Sequence, residues 1–185
     1  MAKGNGTTRS ISGASISPIV KTFIDEARSG HISRETRSAV KGVDDMFQGN
    51  VTYDSTYDKR YDKYTDEQKK ALHRYTSGSN ELNKALEEGT LSQKQKETVA
   101  ELDKMFRPLS KSVIVYKGWE AGDLRNTKSY ASTSTSVMTA NNFMFPKGGI
   151  AAFVLPKGTP VIYAGKLETE ILLPRNFNLK KYRLY

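Results

Sequence analysis

Three short segments carry side chains whose types and spacing can do chemistry. Glu168-Thr169-Glu170 leads into Ile-Leu-Leu-Pro, Ser132-Thr133-Ser134 is a row of hydroxyls, and Tyr116-Lys117-Gly118 ends a β-branched run in an amine. Glu168 and Glu170 stand two apart at the start of a predicted strand, which would put both carboxylates on one face, about 7 Å apart. Two carboxylates beside one sugar serve glycosyl transfer. One stabilises an oxocarbenium-like state, partly through the sugar 2-hydroxyl, and the other takes the proton of the nucleophile. Each segment also has a plainer reading. Two glutamates at an exposed strand end can simply be solvated, alternating Ser and Thr pair their hydroxyls across a ladder, and a lysine at a strand terminus can face water.

The remaining composition narrows the chemistry further. The chain has 185 residues, enough for one domain with a small appendage. There is no Cys, which excludes a disulfide scaffold, a thiolate metal site and a cysteine nucleophile. Two His leave almost no material for a His-rich metal centre or a Ser-His-Asp triad, and no metal is expected. The net charge of +9 is unevenly spread: residues 111–185 carry 11 basic and 4 acidic side chains, whereas residues 51–110 carry 11 of each. A positive field over the last 75 residues suits an anionic ligand, a nucleic acid or a phosphate-bearing small molecule, and equally a solubilising surface. The start, MAKGNGTTRSISGASIS, has no apolar core, and the longest apolar stretch, Ile150 to Leu155, is far short of a membrane span. A cytoplasmic protein is expected, in its own cell or in one it reaches by another route.

These side chains need a scaffold, and the sequence predicts helices before strands. Residues 1–16 read as a flexible leader and 17–64 as a helical segment. Ser17-Pro18 starts a helix with Val20, Phe23, Ile24 and Ala27 on one face, and Gly30 stops it. Ser33 caps a second helix toward Phe47. The stretch Tyr53 to Tyr64 repeats a Tyr-Asp pair and reads as a linker or an amphipathic turn packing its tyrosines on the body, with an aromatic recognition strip as the other option. From Thr65 the capping-box spacings Thr65/Gln68 and Ser92/Gln95 open two helices, with a short Ser79-capped helix between them. After Pro108 come strand candidates at Val113–Tyr116, Tyr130–Val137, Ile150–Leu155, Thr159–Tyr163, Glu168–Leu173 and Leu179–Leu184, with no helix between them. The expectation is an α+β fold, an N-terminal helical layer packed on a two-sheet antiparallel β core.

In this order, behind a helical block, the segments resemble the arginine–serine–glutamate class of ADP-ribosyltransferases, the mono-ADP-ribosylating bacterial exoenzymes and phage-encoded transferases. The likeness runs from about Thr65 to Arg175. Tyr130-Ala-Ser-Thr-Ser is similar to that family's aromatic-x-Ser-Thr-Ser strand, Glu168-Thr-Glu170-Ile-Leu-Leu-Pro to its Glu-x-Glu turn, and Tyr75-Thr-Ser-Gly-Ser with Leu82-Asn83 to the helix before its first catalytic strand. The resemblance implies an ADP-ribosyltransferase-like catalytic core over 65–185 that consumes NAD as a substrate. It implies that Glu170 is the catalytic glutamate, Glu168 the acid that activates an acceptor arginine, and Ser132 the serine that orients Glu170 and the nicotinamide ribose. Lys117, Gly118, Tyr116, Thr133, Ser134, Phe143, Asn83, Tyr75 and Lys147 are implied around the NAD, and Ala164 to Leu167 in the loop that meets the acceptor.

This chain departs from the family at Lys117, where arginine is usual. A guanidinium offers a diphosphate two parallel donors, and an ammonium offers a compact point charge, so weaker NAD binding is expected. Arg125 is a nearby candidate for the missing fork. The resemblance therefore implies an NAD-dependent transferase whose acceptor is a target protein, with no membrane partner. Two alternatives stand beside it: transfer to a nucleic acid, and a catalytically weakened transferase fold kept for binding or structure.

Overall fold

A computed structural model describes residues 15–48, 51–119, 128–145 and 148–185. The leader expected over 1–16 therefore lies outside the described residues except for its last two. Helix α1 (Pro18–Ser29) forms where Ser17 caps Val20 N–H and Pro18 occupies the first turn, and it ends at Gly30 in the left-handed region (φ 82°). Its buried face is Val20, Phe23, Ile24 and Ala27. Helix α2 (Arg34–Gln48) starts at Ser33, whose hydroxyl accepts from Thr36 N–H. The Tyr-Asp segment is helical, α3 (Val51–Tyr61), with Tyr57 stacked on Tyr61 and Tyr61 edge-on to Tyr64.

Both capping boxes form. Thr65 and Gln68 open α4 (Asp66–Glu88), and Ser92 and Gln95 open α5 (Gln93–Asp103). Helix α4 kinks at Gly78 (φ −152°, ψ 35°), so the expected pair of helices is one run with a bend. Tyr75, just before the kink, is fully buried, and burying a side chain of this size is worth roughly 2–3 kcal/mol.

Strands β1 (Arg107–Pro108), β2 (Val113–Trp119), β3 (Ala131–Ser134), β4 (Gly149–Leu155), β5 (Pro160–Gly165) and β6 (Glu170–Leu173) pair antiparallel in the order β1-β5-β6-β3-β2-β4. The two expected sheets are two halves of this one sheet. Strands β2 and β4 share seven residue pairs, yet β2 meets β3 at the single pair Tyr116↔Ser134. Helices α1 and α2, with α6 (Val137–Asn142) after β3, contribute to the core over the β2–β4 half, around Phe23, Ile24, Tyr116 and Ile150. Helices α4 and α5 pack on the β3–β5–β6 half, around Leu72, Tyr75, Leu102, Ile162 and Leu172. A third cluster on the opposite sheet face includes Phe153, Val161, Ile171 and Leu173.

Two expected strands are corrected. The strand expected at Tyr130–Val137 ends at Ser134, because Ser136 turns the chain by accepting from Thr139 N–H and caps a short helix, α6 (Val137–Asn142). A helix thus interrupts the strands. The strand expected at Leu179–Leu184 is a 3-10 turn, Leu179–Tyr182, whose i and i+3 residues share one side. Leu179 is buried there and Tyr182 stacks on Phe177, an arrangement that strand alternation would split. Only a short stitch to β4 follows, Phe153↔Arg183 with Leu184 N–H on Ala152 O.

Candidate active site

Glu170 is the first residue of β6 and faces Gly165 of β5 across a bulge. Glu168 sits outside the strand, in the turn of residues 166–169, so the expected shared strand face does not exist. The cause is Thr169, a β-branched residue held at φ 46°, in the left-handed region that such residues avoid. This twist separates the two acids: Glu168 is exposed, whereas Glu170 retains 8% of its surface. Both still line one cleft.

Ser134 holds that turn. Its hydroxyl donates to Glu168 O (2.8 Å) and lies 3.0 Å from Thr169 Oγ1, and it accepts from Ser136 N–H (3.0 Å). Thr135 N–H adds a bond to Thr169 O. Thr133 donates to Ile171 O at 2.7 Å, stitching β3 to β6. Two of the three hydroxyls in the Ser-Thr-Ser row therefore serve the backbone that carries the acids.

The third, Ser132, serves the carboxylate. Its hydroxyl is 3.0 Å from Tyr75 Oη and hydrogen-bonds Glu170, while Asn83 Nδ2 donates to Tyr75 Oη at 3.5 Å. The order that satisfies each group runs Asn83 to Tyr75 to Ser132 to Glu170, each donating to the next. Burial pushes the Tyr75 phenol up to about 12, which keeps it a donor. Burial also raises the Glu170 carboxyl above the usual carboxylate range. The charge of Glu168 adds to that rise, and the Ser132 hydrogen bond and the charge of Lys117 oppose it.

Lys117, on β2, reaches across the seam and donates from Nζ to Ser132 O at 3.3 Å. It is the one cation lining the cleft among the described residues. Gly118 next to it has a steric reason to be glycine: a Cβ there would stand 2.3 Å from Ala140 O and 2.8 Å from the Phe143 carbonyl carbon. The glycine lets α6 and the Phe143 turn close on β2. Tyr116 is mostly buried in the cluster beneath α1 and α6, with part of it on the cleft wall.

The cleft has a volume of about 470 Å³. Phe143, half exposed at 51%, lines it; Lys147 and Arg125 lie outside the described residues. Trp119, Phe145 and Phe177 also line it, and the sequence reading missed them. Their signal was weak: isolated aromatics at a strand end or in Pro- and Gly-flanked loops. Asn83 Oδ1 is buried with no hydrogen-bond partner among the described residues, an open acceptor in the cleft wall for a ligand N–H or O–H. Among the described residues, no group of three His, Cys, Asp or Glu could hold a metal ion, and no helix is long and apolar enough to cross a membrane.

A family model of the ADP-ribosyltransferase exoenzymes matches residues 49–141, half of the chain, from before α3 to within α6. Tyr75, Asn83, Lys117 and Ser132 fall inside that span, and both glutamates lie beyond it. A comparison with curated protein sequences finds no match. Among solved structures, the Clostridium limosum C3 exoenzyme is similar at 20% identity over 71% of this chain and 82% of that one, with a TM-score of 0.60. Plx2a, an ADP-ribosyltransferase toxin from Paenibacillus larvae, is similar at 22% identity over 65% and 78%, TM-score 0.54. Exoenzyme S from Pseudomonas aeruginosa, solved with human 14-3-3 protein beta and Carba-NAD, is similar at 21% identity over 75% and 78%, TM-score 0.54. At these identities the likeness is one of fold: helices packed on an antiparallel sheet.

Proposed function

The chain belongs to the ADP-ribosyltransferase exoenzyme family, and from that premise we propose that it moves ADP-ribose from NAD to an arginine of a target protein, releasing nicotinamide. The observation that carries this reading is the buried Glu170 hydrogen-bonded by Ser132, with Glu168 exposed at the mouth of the same cleft. The walls fit the substrate class: aromatic faces at Trp119 and Phe143 for rings, an open Asn83 acceptor, and the Lys117 ammonium for phosphate.

NAD supplies a ribosyl carbon on which positive charge grows as its bond to nicotinamide breaks. Glu170 supplies a fixed negative charge where that cation develops, and it accepts from the ribose 2′-hydroxyl. Ser132 and Tyr75 keep the carboxylate aimed, so little reorganisation is left for the moment of reaction. Fixed donors and charges of this kind are worth about 3–4 kcal/mol each in comparable sites. Glu168, freer and solvated, takes a proton from the guanidinium whose nitrogen bonds to the ribosyl carbon. The separation of roles follows from the separation of environments.

Glu170→Gln tests this directly. It is expected to lower nicotinamide release about a thousandfold while NAD affinity stays unchanged, and turnover at the parent rate would remove the reading. Glu168→Gln is expected to reduce transfer to arginine more than NAD hydrolysis; equal loss of both would remove its acceptor role. Transfer to nucleic acid is the second reading, favoured by the 11 basic against 4 acidic side chains of residues 111–185. Labelled NAD incubated with a lysate, then digested with protease or with nuclease, separates the two acceptors.

A further inference from the structure

Strand β3 holds Ser132 against Glu170 through only four residue pairs, from Ala131↔Leu173 to Ser134↔Glu170. Thr133 stitches its middle to Ile171, and a slip of one residue would turn Ser132 to the other sheet face. The Ser134–Thr169 bonds pin the end beside the acids. The other end is held from the helices: Glu87 Oε1 accepts from Ser129 N–H (3.0 Å), Val99 O accepts from the Tyr130 hydroxyl (3.4 Å), and one side chain, Asp103, bridges the ends of both strands. Asp103, the last residue of α5, accepts the Tyr130 hydroxyl at Oδ1 (2.7 Å) and pairs with Arg175 at Oδ2. Tyr130 immediately precedes β3, and Arg175 follows β6 by one residue beyond Pro174.

The same contact backs the hydroxyl relay. The Tyr130 ring is buried edge-on against Tyr75 (5.7 Å between centroids, 85°) and stacked on Phe106 (6.0 Å, 20°). Tyr75 in turn meets Ser132. Burial and the Asp103 hydrogen bond keep the Tyr130 phenol protonated, so it remains a donor.

We propose that Asp103 is a positioning residue: by gripping Tyr130 with one oxygen and Arg175 with the other, it fixes the register in which β3 presents Ser132 to Glu170. The proposal rests on the reading of Glu170 given above. Asp103 itself touches no substrate; it acts through two strands and through the Tyr130–Tyr75 packing.

Nicotinamide release by the full chain tests it in Asp103→Ala, Asp103→Asn, Tyr130→Phe and Arg175→Met. Asp103→Ala is expected to lower kcat about tenfold or more with KM for NAD within about twofold. Its acid limb should move to higher pH, since a displaced Ser132 no longer favours the Glu170 carboxylate. Tyr130→Phe and Arg175→Met each remove one grip and should give part of the loss, Asp103→Asn should recover part of it, and adding Tyr130→Phe to Asp103→Ala should cost nothing more. A kcat and an acid limb at parent values with only a lower melting temperature would overturn the proposal, as would a loss confined to KM. If Asp103→Ala does not fold, the two single-grip variants decide by the same criteria. Glu170→Gln runs alongside: activity in that variant removes the functional reading whatever Asp103 does, and silence in it leaves the Asp103 result to stand alone.

Discussion

The two halves of the sheet are built alike and equipped differently. The β2–β4 half, packed with α1, α2 and α6, brings a cation, a glycine that admits a close turn, and aromatic walls at Trp119 and Phe143. The β3–β5–β6 half, packed under α4 and α5, brings two acids and a chain of hydroxyls that ends on one of them. One half is suited to gripping an anionic, ring-bearing molecule, and the other to acting on a sugar within it. On the function proposed above, the contrast makes binding and chemistry separable by mutation, an expectation that kinetics can test.

Among the groups that support the acids, the largest expected break of that contrast is Ser132→Ala. Removing the hydroxyl that meets both Tyr75 and Glu170 should lower kcat about a hundredfold and leave KM for NAD nearly unchanged. A matching rise in KM would show that the two halves are not separate in function. Next is Gly118→Ala. The added Cβ collides with the Ala140 carbonyl at 2.3 Å, so α6 and the Phe143 turn must shift. Steady-state kinetics should show KM for NAD rising about tenfold, and calorimetry a loss of roughly 1–3 kcal/mol from overpacking. Smaller still, Lys117→Arg should lower KM a fewfold by restoring a two-pronged donor, measured by NAD titration. No change would mean that the amine at this place does not meet the diphosphate.

The smallest effect concerns stability and its sign. Because burial raises the Glu170 carboxyl, the folded chain holds this proton more tightly than the unfolded chain does. Stability from this group is therefore lost as pH rises from the ordinary carboxylate range through the raised value. Glu170→Gln should melt higher than the parent at neutral pH, and the gap should close in acid below the carboxylate range. One kcal/mol corresponds to about 2–4 °C for a chain of this size. Such a result would mark Glu170 as a residue kept at a cost to the fold.

What was legible in the sequence was local. Ser17-Pro18, Thr65/Gln68 and Ser92/Gln95 each announce a helix start through bonds made within three residues, and each forms. The hydroxyl row and the two glutamates were also legible as a set, and they do meet at one cleft. The geometry of the acids was not. A spacing of two implies a common strand face only if the residue between them is extended, and Thr169 is left-handed because Ser134, 35 residues earlier, holds its hydroxyl. The grip of Asp103 on Tyr130 and Arg175 was equally silent, since nothing in three isolated polar residues announces a shared end of two strands. The 3-10 turn at Leu179 is not legible for a related reason: Leu179 and Tyr182 obey a period of three that a six-residue window does not separate from alternation.

The seam between the halves has a consequence of its own. Among neighbouring strands of the described sheet, β2 and β3 share the fewest pairs, one rung beside a seven-rung neighbour, and the Lys117–Ser132 bond spans the same crease. Ser134 supplies half of that rung and, with its side chain, also ties down the bend ahead of Glu170.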